Sequence, residues 1–485
     1  MKRALLAALT AALVVPLAAE ARVLFTPNDP LFPKQYYLAQ DHAFDAFGDT
    51  LPGLDPVRVA VIDSGLDTAH PEFQPKSEIW AARSFVGGSP TTDENGHGTF
   101  VAGEIAAAVN NNQGIAGIAF PAKLIIAKIA GPDNTLSPDV EATAIRWAVD
   151  HGAQVINLSL GGLRDPLDSK LDSFSAAEAA AIEYAVRHGV VVVAATGNCD
   201  NEAPSCPWTY ADYPAALPHV IGVSALTRAS DVAGFSNRDQ IYNDISAPGQ
   251  GILSTAPLQI TSQFPSCPDQ GYSDCATPGL RNGSGTSFAA PQVAGAAALL
   301  LALKSTLKPD QVSYILERSA TDMTASDGCK SCPAGRDALT GWGHLDITKA
   351  IQMLEGPLPP ADRYEPNDDA GAEAATLSAK ATKLTATLDF WDDQLDVYRI
   401  RLVAKQRLEL RVRGPQGSDT DLLLWKPGAV HVNDLRMQRM RAAQAIGGGA
   451  SKRIVYRVRK TGWYYAEVKL ETRGFGPYSL SIARK

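Results

Sequence analysis

Between Val57 and about Ala350, short unbroken apolar runs alternate with longer stretches whose apolar residues recur at helical spacing. The runs are VRVAVID at 57–63, KLIIAKIA at 123–130, QVINLSL at 154–160, VVVVAA at 190–195 and VIGVSAL at 220–226. Strands buried on both faces read as continuous apolar runs, so these predict a parallel sheet. DVEATAIRWAVDHG and AAEAAAIEYAVRHG lie between them and each ends in glycine, a frequent helix stop. The pattern predicts an α/β doubly wound domain with helices on both faces.

After residue 354 the period changes. EGPLPPAD at 355–362 breaks any helix and predicts a linker. Beyond it, DVYRIRL, RLELRVR, DLLLW, RIVYRVR, YYAEVKL and YSLSIAR alternate apolar and polar positions between Gly, Pro, Asp and Asn. Residues 363–485 are therefore expected to form an all-β antiparallel sandwich. Residues 22–56 lack a sustained period and read as an N-terminal arm over the core of a 57–354 domain.

The first residues differ again. Lys2 and Arg3 precede the apolar stretch 4–19, and the small-x-small triplet Ala19-Glu20-Ala21 follows. This is the pattern of a secretory signal peptide over 1–21, so a secreted, extracellular protein is expected. No later segment reads as long enough to span a membrane. Six cysteines suit an exported chain, and they fall in three local pairs: Cys199 with Cys206, Cys267 with Cys275, and Cys329 with Cys332. Local disulfides are the favoured reading among several connectivities. A zinc site on Cys329 and Cys332 would need further ligands, and His344 is the one nearby.

The chain of 485 residues has a formal charge of −8, unevenly spread. Residues 1–360 hold 22 Lys and Arg against 37 Asp and Glu, whereas 361–485 hold 22 against 15. An acidic body argues against nucleic acid as a partner, because that affinity comes largely from neutralising phosphates.

Reactive side chains stand where a parallel sheet gathers them, at strand ends and helix starts. Asp63 ends the first run in VAVIDSGLD, His97 opens a helix in NGHGTFVAG, Asn198 follows the fourth run in VVVVAATGN, and Ser287 opens another helix in GSGTSFAAP. Taken singly, each is an ordinary cap or turn residue. Together they supply a nucleophile, a base, a carboxylate to orient the base and an oxyanion donor. Asp, His, Ser is one of the chain orders in which such triads occur.

VAVIDSGLD, HGTFVAG and GTSFAAP resemble the three signature segments of the subtilisin-like serine proteases. The resemblance extends over about 25–352, with NDPLFPKQYYL similar to the start of thermitase-like members and SNRDQIYNDISAPG and GWGHLDITKAI to later blocks. It implies a serine endopeptidase in which Asp63 orients His97, His97 is general base and then acid, Ser287 is the nucleophile and Asn198 the oxyanion donor. It also implies that Ser159, Leu160 and Gly161 line the cleft and pair with the backbone of a protein or peptide substrate. A monomer is expected.

The chain departs from the family pattern at three places. Phe288 stands where many members carry Met, Cys199 adjoins Asn198, and 35 residues between Ala21 and Val57 are fewer than a folded prodomain needs. The resemblance also implies a structural Ca²⁺ held by Asp29, Glu72 and Asn111 with the carbonyls of Gln113 and Ile115, with Glu72 in place of a shorter Asp. The tail segments RYEPNDDAGAEAATL, DFWDDQLDVYRIRL and SDTDLLLWKPG resemble the bacterial pre-peptidase C-terminal domain. In that tail Asp389, Asp392, Asp393, Asp396, Asp419 and Asp421 read as exposed turn carboxylates, with a metal site as the alternative. Trp391, Trp425 and Trp463 read as core, with a binding face as the alternative.

Two rivals remain at this point. An ester hydrolase lacks its usual Gly-x-Ser-x-Gly around Ser287. An inactive binding protein would have no reason to keep all four reactive groups.

Overall fold

A computed structural model describes residues 24–485 apart from 75–77, 133–134, 200–202, 264–277, 360–361, 372, 392, 431 and 433–434. The signal segment, Cys267, Cys275 and Asp392 lie outside the described residues. The first domain is built on β1 (Val57–Asp63), β2 (Ile79–Ser84), β3 (Ala122–Lys128), β4 (Val155–Leu158), β5 (Val191–Ala195), β6 (Val220–Leu226) and β7 (Ile245–Pro248). They form one sheet in the order β2-β3-β1-β4-β5-β6-β7, and every pairing is parallel.

Helices cover both faces. A short α1 (Tyr36–Gln40) belongs to the N-terminal arm, whose Phe25, Tyr37, Leu38, Phe44 and Phe47 are buried in the larger core. That core also holds α2 (His97–Ala106), while α3 (Pro138–Asp150) and α4 (Ala176–Arg187) close the opposite face. The hairpin of β8 (Gln250–Thr255) and β9 (Leu280–Ser284) flanks α5 (Leu258–Gln263) and leads into α6 (Ala290–Leu303). Contrary to the expectation from sequence, Thr286–Leu303 is long and apolar enough to cross a bilayer, but 83 % of it is buried inside the protein. Its alanines and leucines make it the central core helix. α7 (Pro309–Ser319) and α8 (Ile347–Met353) complete the domain.

The second domain is an antiparallel sandwich. One sheet runs β10 (Ala375–Thr376), β12 (Leu395–Leu402), β17 (Gly462–Leu470), β14 (Thr420–Trp425), β15 (Arg441–Ala445). The other runs β11 (Lys383–Asp389), β18 (Phe475–Arg484), β13 (Arg407–Arg413), β16 (Ser451–Arg457). Among the described residues, only the two-residue β10 pairs in parallel within this domain. Strict burial alternation in β11 and β13 sends Leu384, Ala386, Leu388, Leu408, Leu410 and Val412 into the shared core.

The domains dock along α7. Arg318 bonds Asp389 at 2.9 Å and stacks 3.4 Å from the centre of the Trp342 ring and 4.4 Å from that of Phe475, while Trp342 meets Trp391 edge to face at 5.0 Å. A desolvated cation over an aromatic face contributes about 2 kcal/mol. The structure corrects the reading of the tail acids as exposed turn carboxylates. Asp396 and Asp421 are buried within β12 and β14, Asp396 accepting from Asn367 and Tyr398 of its own domain; Asp393 is buried, Asp389 pairs with Arg318 across the docking contact, and Asp419 bonds Lys452. Local alternation does not reveal which acids the sandwich and the docking contact enclose. Of the tryptophans, Trp425 is core, bonding Glu467 through Nε1 at 2.6 Å; Trp391 sits in the docking contact and Trp463 is partly exposed.

Candidate active site

The site forms where β1 ends against the start of α2. Gly65 has a positive φ of 115°, and a Cβ there would lie 2.6 Å from the Thr92 carbonyl oxygen. A Cβ on Gly98 would overlap the Gly65 carbonyl oxygen. Glycine at 65 lets the chain turn beneath the Thr92 carbonyl, and glycine at 98 lets the start of α2 touch the backbone just after β1; the second contact brings Asp63 and His97 together. His97 Nδ1 lies 2.9 Å from both carboxylate oxygens of Asp63.

Sequence reasoning missed the group that braces this pair. Asp93 is buried and accepts from the Gly96 N–H at 2.8 Å, the Ser64 hydroxyl at 2.9 Å, and both the N–H and the hydroxyl of Thr99 at 2.8 Å. Ser64 in turn accepts from the Gly98 N–H at 2.9 Å. Gly96, the residue before α2, has no capping side chain, so Asp93 serves the first turn instead. The available signal was an Asp four positions before His97 in DENGH.

Ser287 sits in the single tight turn Thr286–Phe288 that leads into α6. Its carbonyl accepts from the Ser159 hydroxyl at 2.7 Å, and Ser159 is itself held by Asn157 Nδ2 at 2.9 Å. The buried Ser159 side chain therefore braces the turn from beneath. Asn198 follows β5, and its Oδ1 accepts from the Thr286 N–H at 2.9 Å and the Thr286 hydroxyl at 3.2 Å. With the oxygen so engaged, Nδ2 is the free donor end. The point a Gly285 Cβ would occupy is 3.6 Å from Asn198 Nδ2 and 3.7 Å from the Ser287 backbone N, so both donors border the space that glycine leaves.

Asp63, His97, Ser287, Ser159, Leu160 and Gly161 line one cleft of about 190 Å³, together with Ala130 and Leu136, which sequence reasoning had not named. Among the described contacts there is no direct bond between His97 and Ser287; such bonds are often long before substrate binds. Phe288 packs its ring 5.5 Å from that of His97 and 4.3 Å from that of Phe100. Burial works against the charged imidazole, but the charge and hydrogen bond of Asp63, aided by Asp93, outweigh it and raise the His97 pKa.

A family model described as the subtilase family matches residues 55–343. The chain belongs to the subtilase family. It is thus a serine-type endopeptidase by family, a hydrolase of peptide bonds. Thermitase of Thermoactinomyces vulgaris is 34 % identical over 57 % of this chain and 85 % of its own length. A subtilisin of Bacillus pumilus is 36 % identical over 56 % of this chain and 86 % of its own. Fervidolysin of Fervidobacterium pennivorans is 34 % identical over 62 % of this chain, which spans only 41 % of that longer relative. The crystal structure of a lanthipeptide protease shares the fold at a TM-score of 0.53, covering 68 % of this chain and 99 % of its own, with 24 % identity.

Two further clusters in this subtilase are rich in oxygen ligands. In the first, the arm's Asp29 accepts from the N–H groups of Asn110 and Asn111 at 2.8 and 3.0 Å, and Glu72 accepts from the Ile115 N–H at 2.9 Å. The Asn111 side-chain amide reaches Glu72 at 3.4 Å, and its Oδ1 accepts from the Gln113 N–H at 2.7 Å. Asp29 and Glu72 are buried, make no ion pair among the described residues, and burial pushes the Glu72 pKa up to about 7. In the second, His219 of the first domain faces Asp310, Glu365 and Asp368 at 3.7, 3.4 and 3.2 Å, and Asp362, Glu365 and Asp396 group behind it. Cys199 pairs with Cys206 and Cys329 with Cys332 in disulfides. The second pairing removes the zinc alternative, and His344 instead bonds Asp41 at 2.9 Å.

The raised His97 pKa has a testable sign. A folded value above the ordinary ~6.5 means that the His97–Asp63 pair adds stability below that pH and loses it as pH rises through the folded value. Nuclear magnetic resonance titration of His97 in a Ser287→Ala protein should give a midpoint above ~6.5; one well below ~6 would contradict the electrostatic account.

Proposed function

We propose that this chain is a secreted serine endopeptidase acting through a Ser287 acyl-enzyme. The observation that carries the reading is the cleft shared by Ser287 and His97, with Asp63 bonded to His97 Nδ1. Ser287 Oγ attacks the scissile carbonyl carbon while His97 Nε2 takes the hydroxyl proton. Asp63 holds the Nδ1–H, which fixes the tautomer and stabilises the imidazolium. The oxygen that gains charge is received by Asn198 Nδ2 and the Ser287 N–H, the donors that border Gly285. His97 then protonates the leaving amine, and water, deprotonated by His97, releases the acid. Leu160 and Gly161 line the cleft where a substrate backbone would lie, and Ser159 keeps Ser287 in place.

The arm cluster suits Ca²⁺. Its donors are hard oxygens, and its two buried carboxylates lack a cationic partner among the described residues. Asp29, Glu72 and Asn111, with the carbonyls of Gln113 and Ile115, would hold the ion. Once bound, it would neutralise the buried acids and tie the arm to the loop after α2.

Two outcomes test these readings. Ser287→Ala should abolish casein hydrolysis and fluorophosphonate labelling, while Asn198→Ala should lower kcat about 10²- to 10³-fold with little change in KM; unchanged hydrolysis by the Ser287 variant would reject the assignment. Ca²⁺ should raise the Tm of the wild type and raise that of Glu72→Gln less. A wild-type Tm unmoved between added Ca²⁺ and excess chelator would remove the ion from the account.

A further inference from the structure

The sheet β11-β18-β13-β16 has one face in the sandwich core and the other in solvent, and the solvent face is strongly basic. Lys383, Arg407, Arg411, Arg413, Arg453 and Arg457 occupy its outward positions and are exposed. Glu409 faces the same side, bonded to Arg411 at 2.7 Å and Arg453 at 2.9 Å, and hydrogen bonds from those arginines hold its pKa down to about 2. One acid against these six cations leaves the face strongly positive.

Register arranges these charges in lines. Lys383, Ser481, Arg411 and Arg453 form one row across the four strands, and Thr385, Ser479, Arg413 and Ser451 form the next. The small Ser479 and Ser481 of β18 leave a trough between Lys383 and the arginines of β13. Two adjoining hollows of about 660 and 440 Å³ share Arg411 and Ser481. Lys383, the one cation at an outward position of β11, stands two strand spacings from Arg411, roughly 10 Å, and Arg411 and Arg413 follow each other at roughly 7 Å along β13. Arg411 opposes Arg453, and Arg407 opposes Arg457. Glu409 bridges Arg411 and Arg453 and reaches Arg407 at 4.0 Å, whereas Lys383, Arg413 and Arg457 have no acid at ion-pair distance among the described residues.

We propose that this trough binds a linear polysaccharide bearing sulfate or carboxylate groups. Cations on both rims meet the anionic groups, and the hydroxyls of Ser479, Ser481, Thr385 and Ser451 meet those of the sugars. Single-stranded nucleic acid is held largely by stacking on aromatic side chains, and none occupies an outward position of these rows. Stable lipid binding adds inserted apolar side chains to charge, and the sheet's exposed large apolar residues are Val455 and Phe475, the latter against Arg318 of the first domain. The acidic residues 1–360 repel a polyanion, so binding would present the chain tail first and leave the cleft facing outward for substrate.

The test uses the full chain carrying Ser287→Ala, with labelled dextran sulfate and polygalacturonate as probes. Replacing Lys383, Arg411 and Arg413 together by Gln should raise Kd for the polymer at least about tenfold and flatten its salt dependence. Removing the same charge from the first domain, by Lys34→Gln, Lys170→Gln and Lys330→Gln, should change Kd less than about twofold. Casein hydrolysis by the trough variant in the active background should stay at the wild-type rate, and its circular dichroism and cooperative thermal unfolding should match the parent's, which shows that both domains fold. Binding of either polymer with this contrast supports the proposal. Failure to bind both, equal weakening by the two triple variants, or tighter binding of a single-stranded oligonucleotide or of anionic vesicles would overturn it.

Discussion

The site depends on a place where two backbones touch. At the end of β1 and the start of α2, neither Gly65 nor Gly98 has room for a methyl group. A side chain at Gly98 would press on the Gly65 backbone and push the strand and helix apart, and a displacement of about 1 Å at reacting groups can cost about 10²-fold in rate. Asp63 and His97 need no long side chains to meet, because the main chain itself carries them to 2.9 Å. The remaining groups are then set by hydrogen bonds rather than by packing alone. Asp93 and Ser64 hold the helix start, Ser159 and Asn157 hold the Ser287 carbonyl, and Thr286 turns Asn198 so that its amide end is free. Each of these polar groups is costly to bury unless partnered, and in partnering one another they fix the geometry.

Charge divides the molecule along the same line as its architecture. The parallel-sheet domain is acidic and places its cleft at the carboxyl ends of the strands. The sandwich carries its basic sheet face outward and meets the first domain through Arg318, Trp342, Trp391 and the acids around His219. His219 stands just before β6, at the amino end of that strand, so the tail docks away from the cleft mouth. The tail is therefore placed to position the protein without covering Ser287.

Much of this was legible in the sequence wherever one local pattern decides the outcome. Buried parallel strands have no polar face, and the run at 57–63 reads directly as β1. β2 escaped notice because IWAARS is a half-exposed edge strand with no apolar run, and β8 and β9 because Gln250, Gly251, Arg281 and Gly283 interrupt them. Asp63, His97, Asn198 and Ser287 stood out through the glycine-marked segments around them. Asp93 did not, because its role exists only once Ser64, Gly96 and Thr99 surround it. The tail acids were misread for a related reason. Asp393 and Asp396 look like turn residues, yet Asp396 lies in β12 among Asn367, Tyr398 and Tyr478, and Asp393 is buried beside it.

The most direct test of the central constraint is the rate of fluorophosphonate labelling of Gly98→Ala. Alanine suits a helix, so a variant that still unfolds cooperatively but labels at least about 10²-fold more slowly than wild type is expected. Labelling at the wild-type rate would show that the backbone contact beneath Asp63 and His97 does not set the site.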